Sequence, residues 1–320
     1  MGINSDVRAL IAAQEPGSSA PPGAAVPGSA TPAGARTRRR RAPVPRRRQT
    51  GCVPELPEVE RARRALEGAL DREIRSVDDN DEWVCRPHRP GDIARALVGG
   101  RLVAAHRRGK TMWCDTVRRD GRTGPRLGVH LGMGGRIIVT DTDGERAGGE
   151  IERPDRTPPK PEWDRFTMVF ADGGQLRLFD KRRLGRVRLE PDLDALGPDA
   201  EMISREDFRR RVGRGEAPVK ARLLDQSVLA GVGNLLADET LWQASLSPSA
   251  PAGTLAGTTL DRLHDALERA IKAAIANGGV HTGEVIPFRH ADALCPRCGA
   301  PMAHGTVGGR STWWCSAEQG

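Results

Sequence analysis

Pro54-Glu55-Leu56-Pro57-Glu58-Val59-Glu60 is the stretch of this sequence that decides the fold. Beyond it, small and apolar side chains recur at helical spacing, at Val59, Ala62, Leu66, Ala69 and Leu70, which predicts a helix that starts near Pro54. Proline suits a first helical turn because its missing N–H would have no partner there, and acidic residues complement the helix dipole. Taken alone, the stretch is a plain helix-capping pattern.

The chain changes to short strands from about residue 73 to 190. Representative predicted strands are Thr111–Val117, Leu127–Leu131, Arg136–Thr140, Arg165–Phe170 and Gln175–Phe179. The Asp172-Gly173 turn between the last two predicts a hairpin, and the polar, proline-rich stretch 141–162 predicts an exposed loop. Many short strands with glycine-rich turns indicate an antiparallel sandwich or barrel.

Helical patterns return after residue 190. One amphipathic segment carries Val219, Leu223, Leu224 and Val228, a second runs from Asn234 through Trp242, and a third runs from Leu260 to Ile275 before Asn277-Gly278-Gly279. Ala230-Gly231-Val232-Gly233 separates the first two. Two glycines there let backbone N–H groups approach an anion, and a helix that begins at Asn234 favours phosphate at its N-terminus.

These patterns predict an α+β protein with an N-terminal antiparallel β-sandwich or barrel lobe, a helical lobe and a short cysteine-bearing ribbon at the C-terminal end. The predicted boundaries are 1–52 for a disordered extension rich in arginine, proline and alanine, 53–190 for the sandwich domain, 191–280 for the helical domain, and 281–320 for the ribbon.

The positive charge of the chain is concentrated at its beginning. The net charge is +8 over 320 residues, but residues 1–52 alone hold nine arginines against two acidic residues, which leaves only +1 for the rest. A body that binds nucleic acid must therefore use a local basic face. The arginine-rich segment itself predicts a DNA-binding arm, an organelle transit segment, or a stretch that is never translated.

Composition also limits where the protein works. No run approaches eighteen apolar residues, so a membrane span is excluded, and the first residues lack the apolar core of a secretory signal. Six cysteines in 320 residues form no disulfide scaffold, which favours a reducing compartment. The expected location is the cytoplasm.

Three of the cysteines have the spacing of a metal site. Cys295-x2-Cys298-x16-Cys315 is a zinc-ribbon pattern, in which two tight turns clasp one tetrahedral ion. A fourth cysteine would follow at 318, but the residue there is Glu318, which can ligate zinc through oxygen, and His304 is a competing ligand. The predicted zinc is single and structural; the alternative is a degenerate ribbon that folds without metal.

Together and in this order, these segments resemble the formamidopyrimidine-DNA glycosylase / endonuclease VIII family. The resemblance runs from Pro54 to about Gln319. Its motifs are the 54–60 stretch, Arg108-Gly109-Lys110, His130-Leu131-Gly132-Met133-Gly134-Gly135, Asp180-Lys181-Arg182-Arg183-Leu184-Gly185, Gly231-Val232-Gly233-Asn234 and the ribbon.

The resemblance implies an enzyme that excises oxidised bases from double-stranded DNA and cleaves the abasic strand, with a helix–two-turns–helix element in its helical lobe. It implies that the amine of Pro54 is the nucleophile, that Glu55 is the acid/base partner, that Lys110 acts at the same site by gripping phosphate, and that Glu58 supports the geometry. A terminal amine titrates near 7.7–8.0, far below lysine, so part of it is neutral at physiological pH.

The resemblance also implies a DNA-binding set. Met133, Arg182 and Leu184 would fill the hole left by the extruded base, although the family more often has an aromatic residue at the position of Leu184. Lys220, Asn234 and Arg310 would bind phosphates. The expected partner is duplex DNA with oxidised bases or abasic sites, and no membrane partner is expected. The protein is expected to be a monomer that associates with the nucleoid.

Three questions stay open at the level of sequence. Pro54 is not a free amine while 53 residues precede it; a GTG codon at Val53 read as the start, with removal of methionine, is our hypothesis for this. The substrate is predicted to be of the formamidopyrimidine or 8-oxoguanine type, with oxidised pyrimidines as the alternative, because only about fifteen residues separate the last helix from Cys295. A non-catalytic DNA-binding protein of the same fold and a ribosome-associated ribbon are the rival functions.

Overall fold

The computed structural model describes residues 53–149 and 160–320, and the 1–52 extension and the 150–159 part of the predicted loop lie outside them. Nine strands of the first part of this described chain form two antiparallel sheets. The five-stranded sheet has the order β1-β7-β8-β5-β6, built from Ile74–Asp78, Asp164–Phe170, Gln175–Phe179, Arg136–Asp141 and Gly144–Gly149. The four-stranded sheet has the order β2-β3-β4-β9, built from Arg101–Arg108, Thr111–Val117, Leu127–His130 and Arg186–Leu189.

The two sheets enclose one core, which confirms the predicted sandwich. Inward-facing side chains alternate along β3, where Met112, Cys114 and Thr116 are buried between half-buried neighbours. The predicted hairpin is present: β7 pairs with β8, and Gly173 adopts a positive φ of 88° in the turn. The polypeptide needs glycine there because the left-handed region is costly for other residues.

The polarity of the stretch 141–162 predicted an exposed loop, but part of this stretch forms a strand. Residues 144–149 form β6, the edge strand that pairs with β5. This strand escaped prediction because three of its six residues are glycine and none is large and apolar. Gly148 is required by packing, since a Cβ there would overlap the Arg61 carbonyl of the adjacent helix. The missing side chain lets that helix lie directly on the strand.

Seven helices lie within the described residues. Three belong to the sandwich lobe, α1 over Leu56–Leu66, α2 over Glu82–Cys85 and α3 over Asp92–Leu97. Four form the helical lobe, α4 over Arg205–Val212, α5 over Val219–Leu224, α6 over Asn234–Gln243 and α7 over Gly257–Asn277. The α5 helix ends earlier than predicted, so Val228 lies in the turn before α6. As predicted, α7 ends at a left-handed Gly278.

Helix α1 joins the two lobes. It begins two residues later than predicted, at Leu56, with Glu55 at its N-cap and Pro57 in its first turn. Leu56 packs in the apolar core of the helical lobe, whereas Val59, Ala62 and Leu66 pack in the core of the sandwich. The residues around Pro54 are therefore fixed at the junction of the two cores.

The C-terminus is a two-stranded ribbon. Strands β10 over Met302–Val307 and β11 over Arg310–Cys315 pair antiparallel, and a third apolar cluster packs Cys295, Met302 and Cys315 against Trp242 of α6. The α+β class with a sandwich, a helical region and a ribbon-like end is thus confirmed. Among the described residues, no helix combines the length and apolar character that crossing a bilayer requires.

Candidate active site

Glu55 is the centre of the candidate site. Its side chain is only 2% exposed, and its carboxylate accepts hydrogen bonds from the backbone N–H groups of Gly233, Leu235 and Leu236 at 2.9–3.0 Å. These donors are the uncapped N–H groups of the α6 N-terminus, which is a natural site for an anion. Gly233 is required because a Cβ would overlap the Glu55 carboxyl group.

Opposing effects act on the protonation of Glu55. Burial raises the pKa of this carboxyl, while Lys110 and the three α6 N–H groups act to lower it, and burial dominates. A raised pKa favours the protonated form of Glu55, which suits a general acid.

Glu58 is a second buried acid beside Glu55. Its carboxylate accepts hydrogen bonds from the N–H of Glu55 at 3.0 Å and from the N–H of Val280 at 2.7 Å. Burial, reinforced by the charge of Glu55, raises the pKa of Glu58 to about 7. Glu58 therefore ties the α1 N-terminus to the segment that follows α7, in keeping with the supporting role predicted for it.

The turn at Gly231-Val232-Gly233-Asn234 packs against the segments that carry Pro54 and Lys110, the other two predicted catalytic residues. The N–H of Leu56 donates to the Gly231 carbonyl at 3.1 Å, and the hairpin that carries Lys110 packs on the same turn, where a Cβ on Gly109 would come within 2.7 Å of Gly231. Pro54 is buried next to Glu55 in the chain, and Lys110 lies close enough to Glu55 to perturb its pKa. Residues 54, 55 and 110 are thus gathered at one place.

The loop after β8, called here the wedge loop, carries Arg182 and Leu184. With Met133, these are the wedge residues, which are predicted to fill the hole left by the extruded base. Asp180 is fully buried and accepts hydrogen bonds from the backbone N–H groups of Arg182, Leu184 and Gly185 at 2.7–2.9 Å. Arg183 adopts a positive φ of 54° within this turn. The buried carboxylate forces the following residues outward, and Leu184 is 38% exposed although it is a large apolar side chain.

The three wedge residues are neighbours. The Arg182 guanidinium donates to the Met133 carbonyl at 3.3 Å and approaches the Met133 sulfur at 3.9 Å. Gly132 lies against the Leu184 backbone so closely that a Cβ would overlap it. The His130 imidazole fixes the Met133 turn by accepting a hydrogen bond from the Gly132 N–H at 3.0 Å. The sequence motif contained His130, but its role in shaping this turn was not predicted.

The side chain of Lys220 is fully buried. Its ammonium is 0% exposed, pairs with Asp238 at 2.6 Å and donates to Thr312 at 2.7 Å. Asp238 also accepts from Arg289 at 2.8 Å, so this network joins α5 and α6 to the ribbon. Burial lowers the pKa of Lys220, although Asp238 counteracts it. A phosphate contact by Lys220 stays a prediction, because the structure shows this ammonium already occupied by protein partners.

Asn234 and Arg310 lie at the junction of α6 and the ribbon. The Asn234 side chain donates to the Ser311 carbonyl at 3.0 Å, and its buried Oδ1 accepts no hydrogen bond from the described residues. Arg310 is exposed at the tip of the ribbon, which packs through Gly308 against Ala221. Their contact to phosphate also stays a prediction.

The predicted metal ligands converge. Cys295, Cys298, Cys315 and Glu318 place one ligand atom each within 4.8 Å of one another. The competing ligand His304 instead bonds to Ser311 and stacks on Trp313 at 4.4 Å. The four groups fit zinc, which takes thiolate and carboxylate ligands.

Neighbouring groups favour a thiolate at Cys295. At Cys298 a backbone N–H acts to lower the pKa, but hydrogen bonding to Cys315 and burial raise it to about 11. Burial acts to raise the pKa of Cys295, but the indole N–H of Trp242 and backbone N–H groups of residues 297 and 298 outweigh it and lower the pKa to about 7. Gln319, which was not singled out from the sequence, closes the cluster by bonding to the Cys315 N–H and the Leu246 carbonyl.

Sequence comparison places this geometry among known proteins. The family described as "Formamidopyrimidine-DNA glycosylase N-terminal domain" matches residues 53–187, and the one described as "Formamidopyrimidine-DNA glycosylase H2TH domain" matches residues 195–284. The chain is 34% identical to the formamidopyrimidine-DNA glycosylase of Rhodopseudomonas palustris over 83% of its own length and 100% of that protein. It is 33% identical to that of a Nocardioides species over 83% of its own length and 94% of the relative.

Solved structures give the same grouping. A complex of Lactococcus lactis Fpg with DNA that contains an oxidised pyrimidine is similar with a TM-score of 0.68 and 28% identity, over 83% of this chain and 99% of that one. A complex of the same protein with abasic-site DNA has a TM-score of 0.66 and 27% identity, over 83% and 99%. A complex with FAPY-dG DNA has a TM-score of 0.66 and 28% identity, over the same shares.

Proposed function

The chain belongs to the formamidopyrimidine-DNA glycosylase family, and we propose that it is a DNA glycosylase that removes oxidised bases and then cleaves the abasic strand. The observation that carries this proposal is Glu55, buried beside Pro54 and Lys110 with a raised pKa and held by three backbone N–H groups. The solved neighbours bound to damaged and abasic-site DNA support the substrate class.

The proposed reaction begins at the amine of Pro54. Its lone pair attacks C1′ of the damaged nucleotide, and the C1′–N bond to the base breaks; the base leaves with that electron pair and with the proton that the Pro54 nitrogen gives up. Glu55 then gives a proton to the ring oxygen, and the bond from C1′ to this oxygen breaks as the nitrogen lone pair forms an iminium ion between Pro54 and C1′. This electron sink acidifies C2′, so loss of a C2′ proton expels the 3′ phosphate, and a second elimination expels the 5′ phosphate. Lys110 stabilises the phosphate charge next to the lesion.

The mechanism requires position 54 to be the mature amino terminus. A proline nitrogen in a peptide bond is a tertiary amide and has no nucleophilic lone pair. We therefore keep the hypothesis that translation starts at the Val53 codon and that the initiating methionine is removed. Intact-mass measurement of the protein from its native host tests this: a mass that includes residues 1–52, with no later processing, contradicts it.

Borohydride trapping separates this enzyme from a non-catalytic DNA-binding protein. The protein that begins at Pro54 should form a covalent adduct with duplex DNA that carries an abasic site or 8-oxoguanine, because borohydride reduces the iminium to a stable amine. The same protein acetylated at the Pro54 nitrogen serves as the matched control and should lose the adduct, because an amide nitrogen forms no iminium ion. Tight binding of lesion DNA without an adduct or strand cleavage by the unsubstituted protein would support the binding protein instead.

The proposed substrates are formamidopyrimidine and 8-oxoguanine lesions, with oxidised pyrimidines as the alternative. Met133 and Arg182, which are in contact, support the first. Leu184 in place of an aromatic wedge residue, and the short segment 278–294 after α7, support the second. Excision rates on duplexes that each carry one lesion, with the opposite base varied, decide between them: a faster rate on thymine glycol than on 8-oxoguanine would favour the alternative.

We also propose that one structural zinc ion is held by Cys295, Cys298, Cys315 and Glu318. The convergence of these groups and the lowered pKa of Cys295 support it. Zinc would cross-link the turn at 295–298 to the end of β11 and so hold the ribbon that presents Arg310. Elemental analysis of the purified protein should find about one zinc per chain; a metal-free protein with an intact ribbon would contradict the proposal.

A further inference from the structure

Trp83 is a large aromatic side chain that the fold leaves 52% exposed. It lies on α2, and two guanidinium groups approach its ring, Arg86 at 3.9 Å and Arg186 at 5.7 Å from the centroid. Arg86 is itself exposed. An exposed indole with two arginines combines a flat stacking surface with positive charge, which is the pairing of groups that binds nucleic-acid strands.

This cluster is physically joined to the wedge loop. Asp81 caps α2 by accepting from the Val84 N–H at 3.0 Å. The same carboxylate holds Arg183 with two hydrogen bonds of 2.8 and 2.9 Å. Arg183 directly precedes Leu184, so the position of Trp83 is tied to the residue that would enter the base stack. DNA held by Leu184, as proposed, would then lie close to this cluster.

The cluster also continues a row of polar groups across the four-stranded sheet. In the register of that sheet, Arg108 faces Thr111, Thr111 faces His130, and His130 faces Arg186. Directly opposed residues share one face of the sheet, and three strand spacings cover roughly 15 Å. The row therefore runs from the Lys110 hairpin, next to Glu55, to Arg186 and Trp83.

The charges of this row are only partly compensated. Burial lowers the pKa of Arg186 and the nearby Arg86 lowers it further, while Asp180 and Asp81 oppose the change. Burial lowers the pKa of His130 as well, and the positive charges of Lys110 and Arg186 lower it further. His130, Lys110 and Arg186 therefore lie in one region of positive potential. An anion at Arg86 and Arg186 would relieve the repulsion between them.

We propose that Trp83, Arg86 and Arg186 form a second DNA subsite, beyond the lesion pocket. The two guanidinium groups bind a backbone phosphate of the DNA that flanks the wedge, and the exposed indole packs against the adjoining nucleotide. This inference rests on the proposed function, because it extends the DNA path from the active site. It gives the enzyme a grip on intact DNA next to the lesion that is independent of the chemistry at Pro54.

Salt-dependent binding tests the subsite in the protein that begins at Pro54. The probe is a duplex with a tetrahydrofuran abasic analogue, whose Kd is measured from 50 to 300 mM KCl. Arg86→Gln with Arg186→Gln should weaken binding about tenfold at 100 mM KCl and reduce the slope of log Kd against log salt by about 1 to 2, since each lost phosphate contact removes about 0.9. Trp83→Ala should weaken binding at every salt concentration without changing the slope.

Two further variants serve as controls. Arg95→Gln is the matched control, because Arg95 is an exposed arginine on the neighbouring α3 that is bonded to Asp92; its Kd and slope should not change. Arg86→Lys with Arg186→Lys keeps the charge and should restore most of the slope. A rise in Kd and a smaller slope for the double glutamine variant, with unchanged single-turnover excision at saturating enzyme, support the subsite.

Unchanged Kd and slope in the double glutamine variant, folded as judged by its melting temperature, overturn the subsite and leave the cluster as a structural contact between α2 and β9. An equal loss in the lysine variant also overturns it, because the effect would then follow packing rather than charge. Failure of the unsubstituted enzyme to excise any lesion would instead contradict the proposed function, whatever these variants show.

Discussion

Glu55 and Glu58 are buried acids that lie side by side, and their hydrogen bonds give them different tasks. Glu55 faces the α6 N-terminus next to Pro54, while Glu58 holds the backbone on both sides of the site. The sequence alone placed both at a helix start, where an acid has a simple capping role. The hydrogen-bond donors to each carboxylate could not be predicted from the sequence, because residues 233–236 and 280 are more than 170 positions away.

Glu55→Gln should reduce the rate of base excision at least 100-fold, because the amide has no proton to give to the sugar ring. Its Kd for a lesion duplex should stay within about threefold, because the contacts that grip DNA lie elsewhere. Single-turnover excision and fluorescence anisotropy measure the two quantities. Glu67→Gln, an exposed acid at the end of the same helix, is the control. Excision by Glu55→Gln at the normal rate would show that another group supplies the proton.

Glu58 should make the free energy of unfolding depend on pH. Its pKa is about 7 in the folded protein and near 4.5 in the unfolded chain, so the folded state holds the extra proton between these values. Stability is then highest below about pH 4.5 and falls as pH rises through 7, by a total on the order of 3 kcal/mol. Urea unfolding at pH 5 to 8 measures this loss.

Glu58→Gln should lose less stability over the same range, because glutamine does not titrate there. Part of the pH dependence should remain, since the pKa of Glu55 is raised as well. An identical loss in both proteins would mean that Glu58 is not the titrating group.

At the scale of elements, the wedge loop is built on one buried carboxylate. Asp180 organises the turn through three backbone N–H groups and projects Arg182 and Leu184 to the surface. The resemblance of the sequence named the wedge residues but gave no reason for their exposure. The reason is a buried carboxylate that accepts hydrogen bonds from three backbone N–H groups of this loop, which no pattern of apolar residues reveals.

Asp180→Asn should weaken binding of lesion duplexes about tenfold and lower stability by about 2 kcal/mol, because an amide cannot accept all three hydrogen bonds. Anisotropy titration and urea unfolding give the two values. Asp120→Asn is the matched control, since Asp120 bonds to one backbone N–H in an exposed turn, and it should change both by little. A variant with unchanged lesion affinity would show that the loop keeps its shape without Asp180.

Helices and strands whose apolar residues recur at a regular spacing were predicted, whereas strand β6, which lacks such a spacing, was missed. The α6 and α7 helices and the β7–β8 hairpin agree with prediction, because their apolar spacing and turn glycines carry strong local signals. Strand β6 was missed because its glycines serve packing against α1, a contact between distant parts of the chain. The ion pair of Lys220 with Asp238 was not predicted, since a lysine gives no sign in sequence of a buried partner, and its contact to phosphate stays a prediction.

At the scale of the whole molecule, the ribbon is attached to the helical lobe through polar contacts and a small apolar cluster. Lys220, Asp238 and Thr312 form its buried link, and Trp242 packs on Cys295. A structural zinc would hold the other end. The four convergent ligand positions were predicted from spacing alone, because ligand spacing in a ribbon is a local property of two turns.

Zinc affinity should depend on residue 318. Glu318→Cys should compete better against a chelator such as 4-(2-pyridylazo)resorcinol, because zinc prefers a fourth thiolate, and Glu318→Gln should lose zinc about tenfold more readily. Zinc release monitored by chelator absorbance gives the comparison. Equal zinc affinity in all three proteins would show that Glu318 is not a ligand. Removal of zinc should also weaken DNA binding, because Arg310 lies on the ribbon.

Leu56 belongs to the core of the helical lobe although it lies at the start of the sandwich lobe, and Glu58 bonds to a backbone N–H 222 positions further on. If Pro54 is the nucleophile, as proposed, a ribosome produces the reactive end first and its surroundings last. Until residues 233–236 and 280 have emerged, Glu55 lacks the backbone donors of α6 and Glu58 lacks Val280. A truncated or half-synthesised polypeptide would then carry the proposed nucleophile in an unassembled site, so incomplete copies of the protein should not cleave DNA.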